Sequence, residues 1–197
     1  NTEKVIEYLQ LAGQQAMQRS ANTEAVSNLT QALELLSTLP TSPQSIRQEI
    51  ELQIIVGAVQ FATKGYAAPE VEKAYSRARM LCQQSDETLL FRAVRGLSTF
   101  HLIRGDLETA RELSGQSLSL AQHQNDPAAL SWAYLGVGTC QTWQGEFLAA
   151  QKHLAQALAY DNPQQRLLSL KIYGQGLKST CLTYMSFNLW LLSYPEQ

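Results

Sequence analysis

The chain has 197 residues, 45 % of them apolar, with 15 basic and 17 acidic residues and a net charge of −2. That is enough chain for one large domain or a run of stacked repeats, and enough apolar residue to bury a core. The charge balance excludes the basic stripe of a nucleic-acid-binding surface. No window approaches the ~18 consecutive apolar residues of a membrane span.

Helical periodicity dominates and strand alternation is nearly absent. The first helix is expected over roughly 2–18, with Val5, Leu9, Ala12 and Ala16 on one face. After the turn Arg19-Ser20-Ala21-Asn22, Asn22 is the expected N-cap of a second helix facing inward through Ala25, Leu29, Ala32 and Leu36. Pro43 opens a third helix, ended by Lys64-Gly65-Tyr66, and Pro69 suits the first turn of a fourth carrying Val71, Ala74, Tyr75, Ala78 and Leu81. Asp86 caps a fifth helix and Gly105-Asp106 opens the sixth. Asn125-Asp126-Pro127 stops that helix and starts the seventh, and Gly145-Glu146 opens the eighth. A shorter helix is expected after Asp161-Asn162-Pro163, and a last one over about 178–192.

One phrase recurs 40 residues apart, Gly105-Asp106-Leu107-Glu108-Thr109-Ala110 and Gly145-Glu146-Phe147-Leu148-Ala149-Ala150. A glycine at a turn, an acid at the next helix start and an alanine one turn in form the joint of a helical hairpin. Repetition at fixed period signals a solenoid. Small residues recur where helices should cross: Ser98, Gly138 and Ser186 in first helices, and Ala32, Ala78, Ser117 and Ala157 in second helices. The expected architecture is a single all-α domain over 1–197, a right-handed superhelix of antiparallel hairpins, with repeats at about 1–40, 43–84, 86–124 and 126–162 and an incomplete unit at 163–197.

These motifs resemble tetratricopeptide repeats lengthened to ~40 residues from the usual ~34. Three longer phrases narrow the resemblance: Ala62-Thr63-Lys64-Gly65-Tyr66-Ala67-Ala68-Pro69-Glu70-Val71-Glu72-Lys73-Ala74-Tyr75, Leu102-Ile103-Arg104-Gly105-Asp106-Leu107-Glu108-Thr109-Ala110-Arg111-Glu112-Leu113, and Leu189-Trp190-Leu191-Leu192-Ser193-Tyr194-Pro195-Glu196-Gln197. Together they are similar to the tetratricopeptide-like region of large bacterial signalling proteins. Those proteins join a predicted AAA-type ATPase to a protein kinase, a histidine kinase or a nucleotide cyclase. The resemblance covers about 45–197. It implies a non-catalytic module in a cytoplasmic polypeptide, with the catalytic parts elsewhere. Asn1 in place of an initiator methionine, and an ending at Gln197 where a second helix should begin, present the chain as a piece of a longer protein.

Candidate chemistry is sparse. Gly174-Gln175-Gly176-Leu177-Lys178-Ser179-Thr180 lacks the glycine directly before lysine that a phosphate loop needs. His101, His123 and His153 have no histidine or cysteine at ligand spacing, so no metal or other cofactor is expected. Cys82, Cys140 and Cys181 are odd in number and far apart, which fits buried thiols in a reducing compartment.

The expected function is binding of a peptide, a protein segment or neighbouring domains through the concave face of the first helices. Repeat register places Arg92, Arg95 and Thr99 toward that groove, then Trp132, Thr139 and Thr142, then Thr183, Phe187 and Trp190. Large aromatics and arginines are enriched at binding hot spots. Two alternatives stand beside it. One is a small-molecule sensor lined by Trp132, Trp143 and Trp190; the other is self-association through the apolar end at Leu189, Leu191 and Leu192.

Overall fold

The computed structural model describes residues 2–82, 86–162 and 176–193. These form nine helices and no strand: α1 Thr2–Gln18, α2 Asn22–Ser37, α3 Pro43–Lys64, α4 Pro69–Cys82, α5 Glu87–Ile103, α6 Leu107–Gln124, α7 Pro127–Trp143, α8 Phe147–Ala159 and α9 Leu177–Ser193. The expected short helix after Pro163, the Gly174-Gln175 turn and Tyr194-Pro195-Glu196-Gln197 lie outside the described residues. The contacts divide the chain into two compact units, 1–100 and 101–197.

Both repeated turns close by the same hydrogen bonds. Gly105 N–H donates to Leu102 O (3.1 Å) and Asp106 N–H to His101 O (3.0 Å), while Gly145 N–H donates to Thr142 O (3.1 Å) and Glu146 N–H to Gln141 O (2.9 Å). This is the paired closure of a helix whose last residue turns left-handed. The glycines stand at φ +80° and +81°, where a Cβ is disfavoured. Asp106 then caps α6 by accepting from Thr109 N–H. Its carboxyl is held below the usual range, first by that interaction with Thr109 and then by His101 at 3.0 Å.

The turn after α1 is a third copy without glycine. Ser20 sits at φ 59°, with Ser20 N–H on Met17 O (3.0 Å) and Ala21 N–H on Ala16 O (2.9 Å). Ala21 therefore takes the place of Asp106, and α2 starts there with no side-chain cap. The expected cap Asn22 is instead the first helical residue: the left-handed residue sets where the next helix begins. Elsewhere the punctuation acts as its chemistry dictates. Asp86 accepts from Leu89 N–H (3.0 Å), Asn125 ends α6 left-handed, and Asp126 accepts from Ala128 and Ala129 ahead of Pro127.

In unit 1, α1 packs on α2, α2 on α3 and α3 on α4; in unit 2, α6 packs on α7, α7 on α8, and α9 on α8 and α7. The buried stripes of the second helices repeat one spacing: Ala25, Leu29 and Ala32; Val71, Tyr75 and Ala78; Ala110, Ser114 and Ser117; Ala150, Leu154 and Ala157. In three of the four, the middle residue, Leu29, Tyr75 or Leu154, meets a glycine of the preceding helix. A Cβ on Gly13 would stand 2.7 Å from Leu29 Cγ, and one on Gly138 2.8 Å from Leu154 Cγ. Gly13 is a crossing residue that sequence reading passed over. In α1 the buried face runs through Ile6, Gly13 and Ala16, and Val5 is exposed, because Gly13 sets the crossing point and rotates the helix about it. Ser186, expected at a crossing, is also exposed: no described helix covers that side of α9.

Candidate interaction surface

The α5 stripe is built over an aromatic stack in unit 1. Tyr75 of α4 is 3 % exposed. Its ring is flanked by two glycines. A Cβ on Gly57 of α3 would lie 2.6 Å from Cε2, and a Cβ on Gly96 of α5 2.5 Å from Cε1 and Cζ. Phe61 lies 5.5 Å from the Tyr75 ring and 4.7 Å from that of Tyr66. Only glycine lets two helix backbones approach an aromatic ring so closely.

Above this stack, Arg92, Arg95 and Thr99 follow at i, i+3 and i+7 and are all half-buried, while Ala93, Val94, Leu97, Ser98 and Phe100 fill the core side of α5. Burial pushes the Tyr75 hydroxyl up to about 12, against the pull of the Arg95 and Arg92 cations. The hydroxyl stays neutral across the physiological range. Two guanidinium groups beside a neutral phenol offer hydrogen-bond donors suited to a carboxylate. Thr99 Oγ1 donates to Arg95 O at 3.1 Å, which ties it to its own helix.

The α7 residues placed toward the groove are covered instead. Trp132, Thr139 and Thr142 are 1 %, 7 % and 3 % exposed. Thr139 Oγ1 donates to Gly136 O (2.9 Å) and Thr142 Oγ1 to Gly138 O (2.9 Å). Thr142 Oγ1 also accepts from Asn188 Nδ2 (3.0 Å), so this face of α7 is the bed of α9. Asn188 is fully buried there and was missed; its place is that of Phe100 and Cys140 in the register set by the turns, where an apolar residue stood in both earlier helices. Gln151 of α8 holds α9 from the other side through Met185 O (2.7 Å).

Thr183, Phe187 and Trp190 are exposed on α9, with the Phe187 and Trp190 rings 6.3 Å apart. The α5 set lies half-buried along its own helix and the α9 set is exposed, while the α7 set is buried.

No family model matches the chain, and no curated protein matches it. Function has to be argued from the residues themselves.

Of the three tryptophans proposed to line a ligand site, Trp132 is buried while Trp143 and Trp190 are exposed. A cleft of about 220 Å³ between α6 and α7 is lined by other residues, among them Arg111, Ser114, Cys140 and Gln144. Beside it a polar chain runs from His153 Nδ1 to Gln141 Oε1 (2.7 Å), from Gln141 Nε2 to Glu146 (3.2 Å), and from Glu146 to Arg111 (3.7 Å). These groups satisfy one another. Among the described residues no three His, Cys, Asp or Glu side chains gather as metal ligands, and no helix is long and apolar enough to cross a membrane.

The three thiols are buried and form no disulfide. Burial, with Asp86 nearby, pushes Cys82 up to about 11; burial, with Asp161 nearby, pushes Cys181 up to about 12; burial also raises Cys140, against the Ser114 hydrogen bond and Arg111. A thiol reacts as its thiolate. None of the three should react with a disulfide reagent at pH 8 in the native protein within an hour, and all three should react in guanidinium. One thiol that reacts in seconds would show a site that burial alone does not describe. Because the folded thiols titrate above the ordinary ~8.5, the stability they lend is present below that pH and is lost as pH rises toward 11–12.

Proposed function

We propose that this chain is a non-catalytic protein-interaction module, a scaffold or sensor region of a bacterial signalling polypeptide, folded as a right-handed superhelix of enlarged tetratricopeptide-like hairpins. The repeated left-handed turns and the repeated glycine-to-second-helix packing support that reading of the fold. The observation that carries the function is the half-buried stripe of α5, where Arg92 and Arg95 stand near the buried, neutral Tyr75 hydroxyl. That stripe suits an extended segment of a partner, or of a neighbouring domain, carrying a carboxylate. The parent polypeptide would supply any ATPase, kinase or cyclase activity, and the module would work in the cytoplasm.

Titration of the chain with fluorescein-labelled peptides, chosen by selection from a displayed library, tests the reading. Hydrogen bonds to charged groups contribute about 1.5–3 kcal/mol each, and 1.4 kcal/mol is tenfold in affinity. Arg92→Glu and Arg95→Glu should each weaken binding by about tenfold or more and flatten its salt dependence, with the helical circular-dichroism signal unchanged. Equal affinity in wild type and variants would place the partner elsewhere and remove the α5 stripe from the reading.

A further inference from the structure

Protein interiors are closely packed, so a cleft between two helices needs a cause. In α6 the middle of the buried stripe is Ser114, where α2, α4 and α8 have Leu29, Tyr75 and Leu154. The next residue, Gly115, has no side chain, and a Cβ there would meet nothing within 4 Å. Both line the cleft of about 220 Å³ between α6 and α7. Two successive small residues thus leave open what a leucine or a tyrosine fills in the other second helices.

The two ends of the cleft differ in chemistry. Leu118 and Val137 make one end apolar. At the other end, the start of α6 meets the end of α7. Cys140 Sγ donates there to Leu107 O (3.9 Å), and so does Gln144 Nε2 (3.3 Å). Ser114 Oγ is engaged by Arg111 O (2.9 Å). Gln144 Oε1 is buried and has no hydrogen-bond partner, a state that is costly to keep. Arg111 also lines this end, with Glu146 3.7 Å from its guanidinium. The two charges neutralise one another, but that distance is longer than a hydrogen bond, so it does not consume the N–H donors of the arginine.

One end therefore offers a cation, an anion and an unpaired acceptor, and the other offers an apolar wall. A simple carboxylate would use Arg111 and leave Gln144 Oε1 unpaired. A simple amine would do the reverse. A ligand that answers every group carries a carboxylate, an ammonium and an apolar side chain together. The volume is below the ~300–1,000 Å³ of sites for drug-sized molecules, which sets the ligand at a single residue.

We propose that the cleft between α6 and α7 binds an apolar α-amino acid of about the size of leucine or methionine, its carboxylate on Arg111, its ammonium on Gln144 Oε1 and Glu146, and its side chain against Leu118 and Val137. The site uses none of the α5 residues and does not rest on their role.

Isothermal titration calorimetry of the full chain with L-leucine should show one site. Isocaproate, which lacks the ammonium, and isoamylamine, which lacks the carboxylate, should each bind at least about tenfold more weakly, because each forfeits a charge-assisted hydrogen bond. Arg111→Gln should weaken leucine binding by about tenfold or more for the same reason. Gly115→Leu should abolish it by filling the cleft, and should melt no lower than the parent, since leucine is the better helix former. Arg92→Glu should leave it unchanged, so this site and the α5 stripe stand or fall separately. Absence of heat with leucine, methionine, valine and phenylalanine up to about 10 mM, far above any useful Kd, overturns the inference. Isocaproate or isoamylamine binding as tightly as leucine overturns the amino-acid assignment, and leucine binding that survives Gly115→Leu overturns the placement in the cleft.

Discussion

Tyr75→Ala is expected to lower the free energy of unfolding by about 3–5 kcal/mol, the range for loss of a buried aromatic ring. The high end applies because the site cannot collapse. Its neighbours beside the Cε2 and Cε1 atoms are Gly57 and Gly96, which have no side chains to move inward. The Phe61 ring is tilted against it at 5.5 Å and is itself stacked on Tyr66. A domain has only about 5–15 kcal/mol in hand, so the variant should melt far below the parent and may be followed by urea titration. Tyr75→Phe keeps the ring and should stay within about 1 kcal/mol. It also removes the hydroxyl from the α5 stripe, so it separates binding from stability. A Tyr75→Ala variant as stable as the parent would show that the ring is not the keystone of α3, α4 and α5.

The second large effect concerns Gly138 and Leu154. Leu154 is fully buried, and its removal to alanine should cost about 2–5 kcal/mol. Gly138→Ala puts a Cβ 2.8 Å from Leu154 Cγ and 3.3 Å from Ala150 O, so it should cost about 1–3 kcal/mol through forced displacement, despite the better helix propensity of alanine. The two losses should not add. In the double variant the new methyl occupies space that Leu154 vacates, so the combined cost should fall short of the sum by about 1 kcal/mol or more. Chemical denaturation of the four proteins measures the coupling. Simple additivity would mean that Gly138 and Leu154 are not the contact that sets the crossing of α7 and α8.

The all-α class and most helix ends were legible because they are written in local chemistry. Asp86, Asp106 and Asp126 bond to backbone within three residues of themselves, and such signals need no knowledge of the fold. The stripes of α2 and α4 were legible for the same reason: one side is buried, so the period shows. α7 was not. It buries Ala129, Leu130, Trp132, Leu135, Gly138 and Cys140 around its circumference, and a helix covered on all sides has no polar face to betray its orientation. Register alone could not tell an open groove position from one under the next helix, and so Thr139 and Thr142 were placed in the open. Ser20 was unreadable as a left-handed residue because serine rarely adopts that conformation, and the displaced start of α2 followed from it. Asn188 was passed over because a polar residue in an apolar helix reads as surface until its partner, Thr142, is known to lie 46 residues upstream.

The glycine contacts have a consequence for the time course of folding. Leu29 follows Gly13 by 16 residues and Leu154 follows Gly138 by the same interval. A loop of that length closes in well under a microsecond to a microsecond, and closure entropy rises only slowly with length. Each hairpin can therefore form its decisive contact before distant parts of the chain have met. On the ribosome, at about 5–20 residues per second, α1 and α2 would have seconds to pair before α7 is synthesised. The order of folding is then the order of synthesis, and no hairpin has to wait for the carboxyl terminus.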